Sequence, residues 1–358
     1  MNPIAYAIPV FIVTIVVEAV MGLRQQRKIY NFADSMASLN VGLVSQLAWC
    51  FLNLAAFAIY AAVQTKWGLT PWPLDSVWLW VLALLLYDFV YYWKHRLSHE
   101  IGVFWGIHIT HHSSPYFNLA TALRQSLPQP LFTCLFVLPL ALLGMPLFMY
   151  VVVYLINLIY QYWIHTDLIG RLGWMDRVFA TPSNHRVHHG QNDYCIDANY
   201  GGIFMIWDHW FGSFRAERED EPILYGVRTP LLSLDPFWAN FHYYVDLWRQ
   251  SLASPTWRGK FAVWWAPPQS HPIVTTPWHV HPSVGTQVYV AVQGVLVLPF
   301  VVHFLATFHA MSLQNAVLYA CALAVSSVAI CSLLEGKTWA RPLEAARWLG
   351  LGLWAISV

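Results

Sequence analysis

Apolar residues run through this chain in long blocks separated by short polar stretches. A hydrocarbon core of about 30 Å is crossed by about 20 apolar residues in a helix. That length predicts spans near 4–23, 40–63, 77–93, 127–144, 146–164, 287–309 and 312–334. A further apolar segment, 338–357, carries Arg341, Glu344 and Arg347, so it is expected to form either an eighth span or a helix lying in the interface. Only Gly144, Met145 and Pro146 separate the fourth and fifth blocks, which predicts a tight helical hairpin with Pro near the start of its second helix. The stretch 165–286 is the one polar region long enough for a subdomain outside the membrane, with Asn199, Gly201, Gly202 and Gly212 as turn signals. Within it, 217–221 reads as a solvated loop. The expected fold is an all-α integral membrane protein of about 7–8 transmembrane helices with a cytosolic helical cap. Its expected divisions are N-terminal spans over 1–76, a catalytic domain with the cap over 77–286, and C-terminal spans over 287–358.

Composition narrows the class further. Hydrophobic residues make up 58% and charged residues 10%, against roughly 25% charged in soluble domains. Such a chain cannot coat a water-facing surface, and it is far too apolar for disorder. Nineteen Lys and Arg against 18 Asp and Glu, with no long basic run, leave no electrostatic footprint for nucleic acid. The N-terminal apolar run lacks a basic start and a cleavage site, and reads as a span rather than a signal peptide. Arg24, Arg27, Lys28, Lys94, Arg96, Arg124, the basic residues of 171–260 and those of 337–347 fall on one side if the spans alternate. Lys66 falls on the other side. The basic side is expected to be the cytosol, with the N-terminus beginning opposite. Five cysteines without a CxxC pair point to neither a thiolate zinc site nor a disulfide framework.

The chemistry lies in the histidines. Nine of 16 gather in four places: His95 and His99; His108, His111 and His112; His165; and His185, His188 and His189. Spacings of three and four put each group on one helical face, all at the predicted cytosolic side. Clustered imidazoles repel when protonated and strand bare nitrogens when neutral and buried. A cation removes both problems. One tetrahedral ion takes four ligands, so eight or nine imidazoles suit a pair of ions. Zinc, copper, iron and nickel all accept imidazole. A site within reach of a lipid chain favours iron, because zinc offers no redox route to oxidise one.

The strings HRLSHE, HITHHSS and NHRVHHG resemble the histidine boxes of the fatty acid hydroxylase/sterol desaturase superfamily of membrane di-iron enzymes. Longer strings, HITHHSSPYFNLATALRQS, YQYWIHTDLIG, TPSNHRVHHGQNDYCIDANYGG and WDHWFGSF, are similar to the branch of that superfamily that oxidises alkylglycerols. The similarity runs over roughly residues 85–245. Asn184 departs from the pattern at a position where a further His is expected, just before an intact HxxHH. The resemblance implies two Fe held by the nine histidines, with tetrahydrobiopterin as reductant cofactor. It implies an O2-dependent hydroxylation of the carbon next to the ether oxygen, giving fatty aldehyde and a glycerol derivative. The alternative is a fatty-acid or sterol C–H hydroxylase or desaturase that draws electrons from a redox partner protein. The expected partners are a long-chain lipid, O2, the reductant and the bilayer, with no nucleic acid. The host membrane is a bacterial inner membrane or the endoplasmic reticulum, with the metal site facing the cytosol.

Several residues are expected to support this site. Asp88 shares a helical face with Tyr92, His95 and His99, and is a candidate to orient an imidazole. Glu100 directly follows His99 and is a candidate polar or pterin contact. Arg124 and Gln125 are candidates for binding a cofactor or polar head, or for interfacial snorkelling. Asp167 and Asp193 belong to loops. Trp93, Trp105 and Trp163 read as interfacial belt residues or pocket walls. His209 and His242 read as structural, His271, His279 and His281 as loop residues, and His303 and His309 as packing residues.

Overall fold

A computed structural model of the chain describes residues 3–269 and 271–357. Residues 1 and 2 of the expected division 1–76, 270 of 77–286 and 358 of 287–358 lie outside the described residues. The described residues form fourteen α-helices and three short 3-10 turns joined by loops, with no β-structure among them beyond two isolated bridges. In chain order they are α1 (Pro3–Arg24), α2 (Phe32–Trp67), α3 (Val77–Glu100), α4 (Gly102–His112), α5 (Gln129–Leu142) and α6 (Leu147–Trp163). Three short helices follow: α7 (Met175–Val178), α8 (Pro182–His188) and α9 (Ile206–Trp210). The remainder are α10 (Trp238–Ala253), α11 (Trp257–Trp265), α12 (Val284–Thr307), α13 (Leu313–Glu335) and α14 (Ala340–Ser357).

Five helices, α1, α2, α3, α12 and α13, are long and apolar enough to cross a membrane. The expected fourth and fifth spans form the hairpin α5–α6, but its arms have only 14 and 17 residues. Pro128 and Pro130 set the start of α5, and the turn ahead of Pro146 ends it. That turn needs Gly144 at φ +90°, where an added Cβ would lie 2.5 Å from the Thr70 carbonyl oxygen.

The helix ends sort into two levels. At one, Leu69 N–H donates to the Leu142 carbonyl (2.9 Å) and Trp72 N–H to the Gly144 carbonyl (3.1 Å). At the other, Arg27 bridges Asp167 (2.5 Å), Ser114 Oγ donates to Asp34 (2.7 Å), and Ser233 Oγ donates to Glu335 (2.9 Å). This second level carries the cap. Glu18 of α1 reaches into it, accepting from Leu119 N–H (2.8 Å), Thr166 Oγ and Tyr30 Oη. Between the levels the bundle is held by close packing. Tyr60 and Tyr150 stack at 4.7 Å against Tyr87, Val137 and Met149, and Phe304, Leu305 and Leu47 fill a second cluster.

Helix α2 has 36 residues and so is about 54 Å long, well beyond one hydrocarbon core. Its first turns are capped by Asn31, whose side chain accepts from Asp34 N–H (3.1 Å), and they buttress the cap. Here Gly42 permits close approach: a Cβ at that position would lie 2.4 Å from the Leu123 carbonyl oxygen. Backbone cannot swing aside as a side chain can. Gly42→Ala is therefore expected to cost about 1–3 kcal/mol, read as a lowered thermal midpoint in detergent.

Candidate metal centre

The four histidine places meet in space as two adjoining groups. His95, His99, His108, His112 and His188 form one, and His111, His165, His185 and His189 the other; within each group the ligating atoms lie within 4.8 Å of one another. The HxxHH triplets were expected to keep all three rings on one face, but each triplet divides. The i, i+4 pair His108/His112 joins His188, while the i, i+4 pair His185/His189 joins His111. The middle histidine of each triplet thus crosses into the other triplet's group. Neighbouring helical residues point about 100° apart, so the middle ring diverges from the pair. The groups touch where His112 and His189 stack, 4.2 Å between ring centroids.

Backbone carbonyls fix the rings. His95 Nδ1 lies 2.9 Å from the Tyr200 carbonyl oxygen, and His188 Nδ1 lies 3.0 Å from that of Ala198. His111 Nδ1 is 2.9 Å from the Arg124 carbonyl and His165 Nδ1 is 2.7 Å from that of Gln161. A carbonyl only accepts, so Nδ1 of each neutral ring carries the proton and Nε2 is a bare lone pair. His111 Nε2 and His165 Nε2 nevertheless face each other at 3.1 Å. Neither can donate to the other. His95 Nε2 stands 2.9 Å from His108 Nε2, which also faces His112 Nε2 (3.0 Å), so a single Nε2 proton on His108 can serve only one of these two neighbours. Nε2 of His99 and of His188 are buried with no hydrogen-bond partner.

The facing lone pairs of His111 and His165 and the unpartnered Nε2 atoms of His99 and His188 are all satisfied by cations, so the residues fit a metal pair. Burial holds the cap histidines neutral and ready to ligate. It lowers His111 to about 4, against the pull of its carbonyl partner, and His188 to about 3. His108, His112, His165, His185 and His189 are pushed well below the ordinary imidazole value by burial first and then by neighbouring rings.

Asp88 was expected to face an imidazole. Its partners are instead Ile203 N–H (2.8 Å), Phe204 N–H (3.1 Å), Trp207 Nε1 (2.9 Å) and Asn157 Nδ2 (3.0 Å). Asp208 takes Tyr200 N–H and Gly201 N–H, both at 2.8 Å. Together these carboxylates clamp the loop whose Tyr200 carbonyl holds His95. Glu100 pairs with Arg96 (2.8 Å) at the edge of the five-histidine group. Arg124 is buried rather than snorkelling. It donates to the Thr110 carbonyl (3.1 Å), Ser38 Oγ (3.3 Å) and Ser113 Oγ (2.8 Å), and its own carbonyl holds His111. The Gln125 side chain donates to the Ala122 carbonyl (3.1 Å) and lines the cavity described below.

Elsewhere in the cap, Asp167 accepts from Tyr225 Oη (2.9 Å) and Asp193 pairs with Arg228 (2.5 Å). Glu217, expected in a solvated loop, turns inward onto Arg186 (2.7 Å). Burial raises its carboxyl, but the Arg186 guanidinium and Ser183 Oγ outweigh that and hold it below the usual range. Asn184 accepts the Thr181 N–H (3.1 Å) at the start of α8. Trp105 packs on His99 at 5.0 Å, whereas Trp93 packs on Phe211 at 5.0 Å and Trp163 on Tyr160 at 5.7 Å. His209 contacts the Arg177 carbonyl (3.1 Å), His242 that of Ala239 (3.1 Å) and His303 the Tyr319 hydroxyl (3.3 Å). His271, His279, His281 and His309 belong to neither group. Burial pushes the Cys195 thiol up to about 12, which keeps it neutral and inert.

An apolar cavity of about 390 Å³ opens from the centre into the bundle. His95, His108, His111 and His165 line one part of it, and Ile8, Phe11, Val297 and Leu298 of α1 and α12 another.

The fatty acid hydroxylase family matches residues 80–213. Alkylglycerol monooxygenase of Homo sapiens is 37% identical over 331 residues, which cover 88% of this chain and 74% of that protein. The chain belongs to the fatty acid hydroxylase family. Alkylglycerol monooxygenase of Danio rerio is 40% identical over 73% of the chain, and that of Xenopus tropicalis 39% over 71%. The chain spans only 58% and 56% of those two proteins' lengths. No solved structure matches it. The family match covers α3 from residue 80 onward, α4 and α8, helices that carry seven of the nine histidines, together with His189 just after α8 and His165. The carbonyls of Ala198, Tyr200, Arg124 and Gln161, which aim four rings, escape sequence reading because every residue type has a carbonyl. Phe117, which seals the four-histidine group 5.2 Å from His189, carried no signal beyond its place after HITHH.

Proposed function

We propose that this chain is an O2-dependent di-iron monooxygenase that oxidises the carbon next to the ether oxygen of alkylglycerol lipids. The observation that carries the reading is the pair of all-imidazole groups opening onto an apolar cavity. The alkylglycerol monooxygenases among its relatives point to the substrate. The two irons would be held by the five-histidine and four-histidine groups, and when bound they supply O2-dependent oxidation of a C–H bond. The carbonyl-anchored rings keep their lone pairs aimed without reorganisation. The cavity walls from α1 and α12 take the alkyl chain and exclude water. An ether oxygen eases oxidation at its neighbouring carbon, because its lone pair stabilises the electron deficiency that develops there. The resulting hemiacetal breaks to aldehyde and glycerol.

The two levels of helix ends support a topology in which the five long helices cross and the α5–α6 hairpin reaches between the levels. With α14 this gives the 7–8 membrane elements, residues 77–286 being the catalytic part. The basic residues of the cap support a cytosolic orientation, in a bacterial inner membrane or the endoplasmic reticulum. Tetrahydrobiopterin is proposed as the reductant from the family resemblance. Glu100, partly exposed beside His99, is its proposed contact, with Gln125 on the cavity side; Arg124 is already committed to its three neighbours.

The test is aldehyde formation from 1-O-hexadecylglycerol by purified, iron-loaded protein, with and without tetrahydrobiopterin. Pterin-dependent aldehyde supports the reading. Aldehyde formation that requires a redox protein and ignores pterin overturns the pterin assignment, and no aldehyde under either condition sinks the reading. Metal removal gives an independent prediction. A chelator should lower the thermal midpoint, and ferrous iron should restore it, because ligand saturating a site at 100 times its Kd stabilises by about 2.7 kcal/mol. An unchanged midpoint in chelated protein of verified low metal content would count against the lone-pair argument.

A further inference from the structure

Lys94 is a charged side chain inside the cavity that the reaction, as described so far, does not use. It is 8% exposed. Its Nζ reaches Thr133 Oγ1 only at 3.5 Å, and stands 4.6 Å from the centroid of the Tyr91 ring. No carboxylate lines the cavity, and Lys94 is its one lysine or arginine among the described residues. An ammonium held among apolar helices without an anionic partner is costly, and such residues mark binding sites. The aromatic face and one distant hydroxyl do not replace its lost water. A ligand oxygen would.

The position of the lysine constrains which oxygen. Lys94 immediately precedes His95 on α3, and both line the cavity. Their Cα atoms are therefore about 3.8 Å apart. In an alkylglycerol the oxidised carbon is separated from the headgroup oxygens by only a few bonds. A residue that grips the headgroup must then stand beside the metal ligands rather than at the cavity's far end. Lys94 is rooted next to a ligand histidine, and its side chain lines the same cavity. The amide side chains of Gln46 and Gln129 line the same cavity and supply further donors and acceptors.

We propose that Lys94 is the specificity-determining residue for the oxygen-rich headgroup: its ammonium donates to a headgroup oxygen and registers the ether carbon against the histidines. This rests on the alkylglycerol reading above and names the side chain that recognises that substrate.

The test reads binding, not turnover. Detergent-solubilised protein is titrated with 1-O-hexadecylglycerol, with its 3-phosphate, and with methyl hexadecyl ether, which has the same chain and ether but no headgroup oxygens. Wild type should prefer the hydroxylated ether over the methyl ether. Lys94→Met should cut that preference about 10- to 100-fold, the worth of one hydrogen bond to a charged group. Metal content and methyl-ether affinity should stay within a factor of about two of wild type. Lys94→Arg, which keeps the charge, should recover part of the preference. A steeper loss for the phosphate than for the neutral diol also supports Lys94 and identifies phosphate as the oxygen it holds. Equal weakening for all three ligands, or an unchanged preference in Lys94→Met, overturns the proposal. A wild-type chain that discriminates between the ligands yet forms no aldehyde would refute the alkylglycerol reading and leave Lys94 as a headgroup site.

Discussion

Alanine at His111 or at His188 is expected to reduce turnover by more than about 100-fold, since loss of a mere outer partner of a metal ligand already costs 10- to 100-fold. The two variants should fail differently. His111 belongs to the four-histidine group, whose rings are the minimum for a closed tetrahedral set. His111→Ala leaves three imidazoles and exposes His165 Nε2, which had faced it at 3.1 Å. Metal bound per chain should drop from two towards one. His188 belongs to the group of five, so His188→Ala still leaves four imidazoles. It should keep more of its metal than His111→Ala while losing comparable activity, because the ring anchored by the Ala198 carbonyl no longer shapes the site. His303→Ala is the control. That ring touches Tyr319 at the membrane helices and should alter neither quantity. Elemental analysis beside an initial-rate assay checks all three. Equal activity across them, or equal metal loss in the two ligand variants, would end the assignment of two unequal pockets.

The histidine set was open to sequence reading because identity and spacing are the whole signal. HxxxH at the end of an apolar block, together with two HxxHH strings, has no structural use as convincing as metal binding. The partition of the nine rings was not legible. Helix geometry parts His111 from His112, but nothing in HITHH says which rings it then joins, because the deciding partner, the Arg124 carbonyl, lies in a segment with no fixed helical phase to HITHH. The same holds for Asp88. Its spacing to His95 and His99 set it on their face, yet a loop more than 110 residues later supplies its donors. Span positions followed from apolar length, whereas α2 ran far past its expected start. Its first turns are packed by the cap, and local hydropathy cannot register packing.

The loop clamp yields the second large effect. Asp88→Ala strips one acceptor group from four donors, the Ile203 amide and Asn157 Nδ2 buried and the Phe204 amide and Trp207 Nε1 partly so. Each stranded donor costs about 1–3 kcal/mol, and the cavity left by the carboxylate admits no bulk water to repair them. Even allowing for relaxation, the loss should reach about 4 kcal/mol, read as a fall of about 5 °C or more in thermal midpoint. Asp88→Asn keeps the volume but turns two of its own N–H groups towards donors, so it should recover only part of the stability. The chemical consequence follows from what the loop carries. Tyr200 presents the carbonyl that fixes the His95 tautomer, and Asp208 holds the Tyr200 and Gly201 amides from the other side. With one clamp gone, His95 is free to take the other tautomer and protonate Nε2, which removes a ligand without removing a histidine. Asp88→Ala should therefore lose metal from the five-histidine group at temperatures well below its own unfolding, while the carbonyl contacts of His111 and His165 survive. A variant with a wild-type midpoint and full metal content would show that the loop is held by its helical neighbours and that Asp88 contributes little.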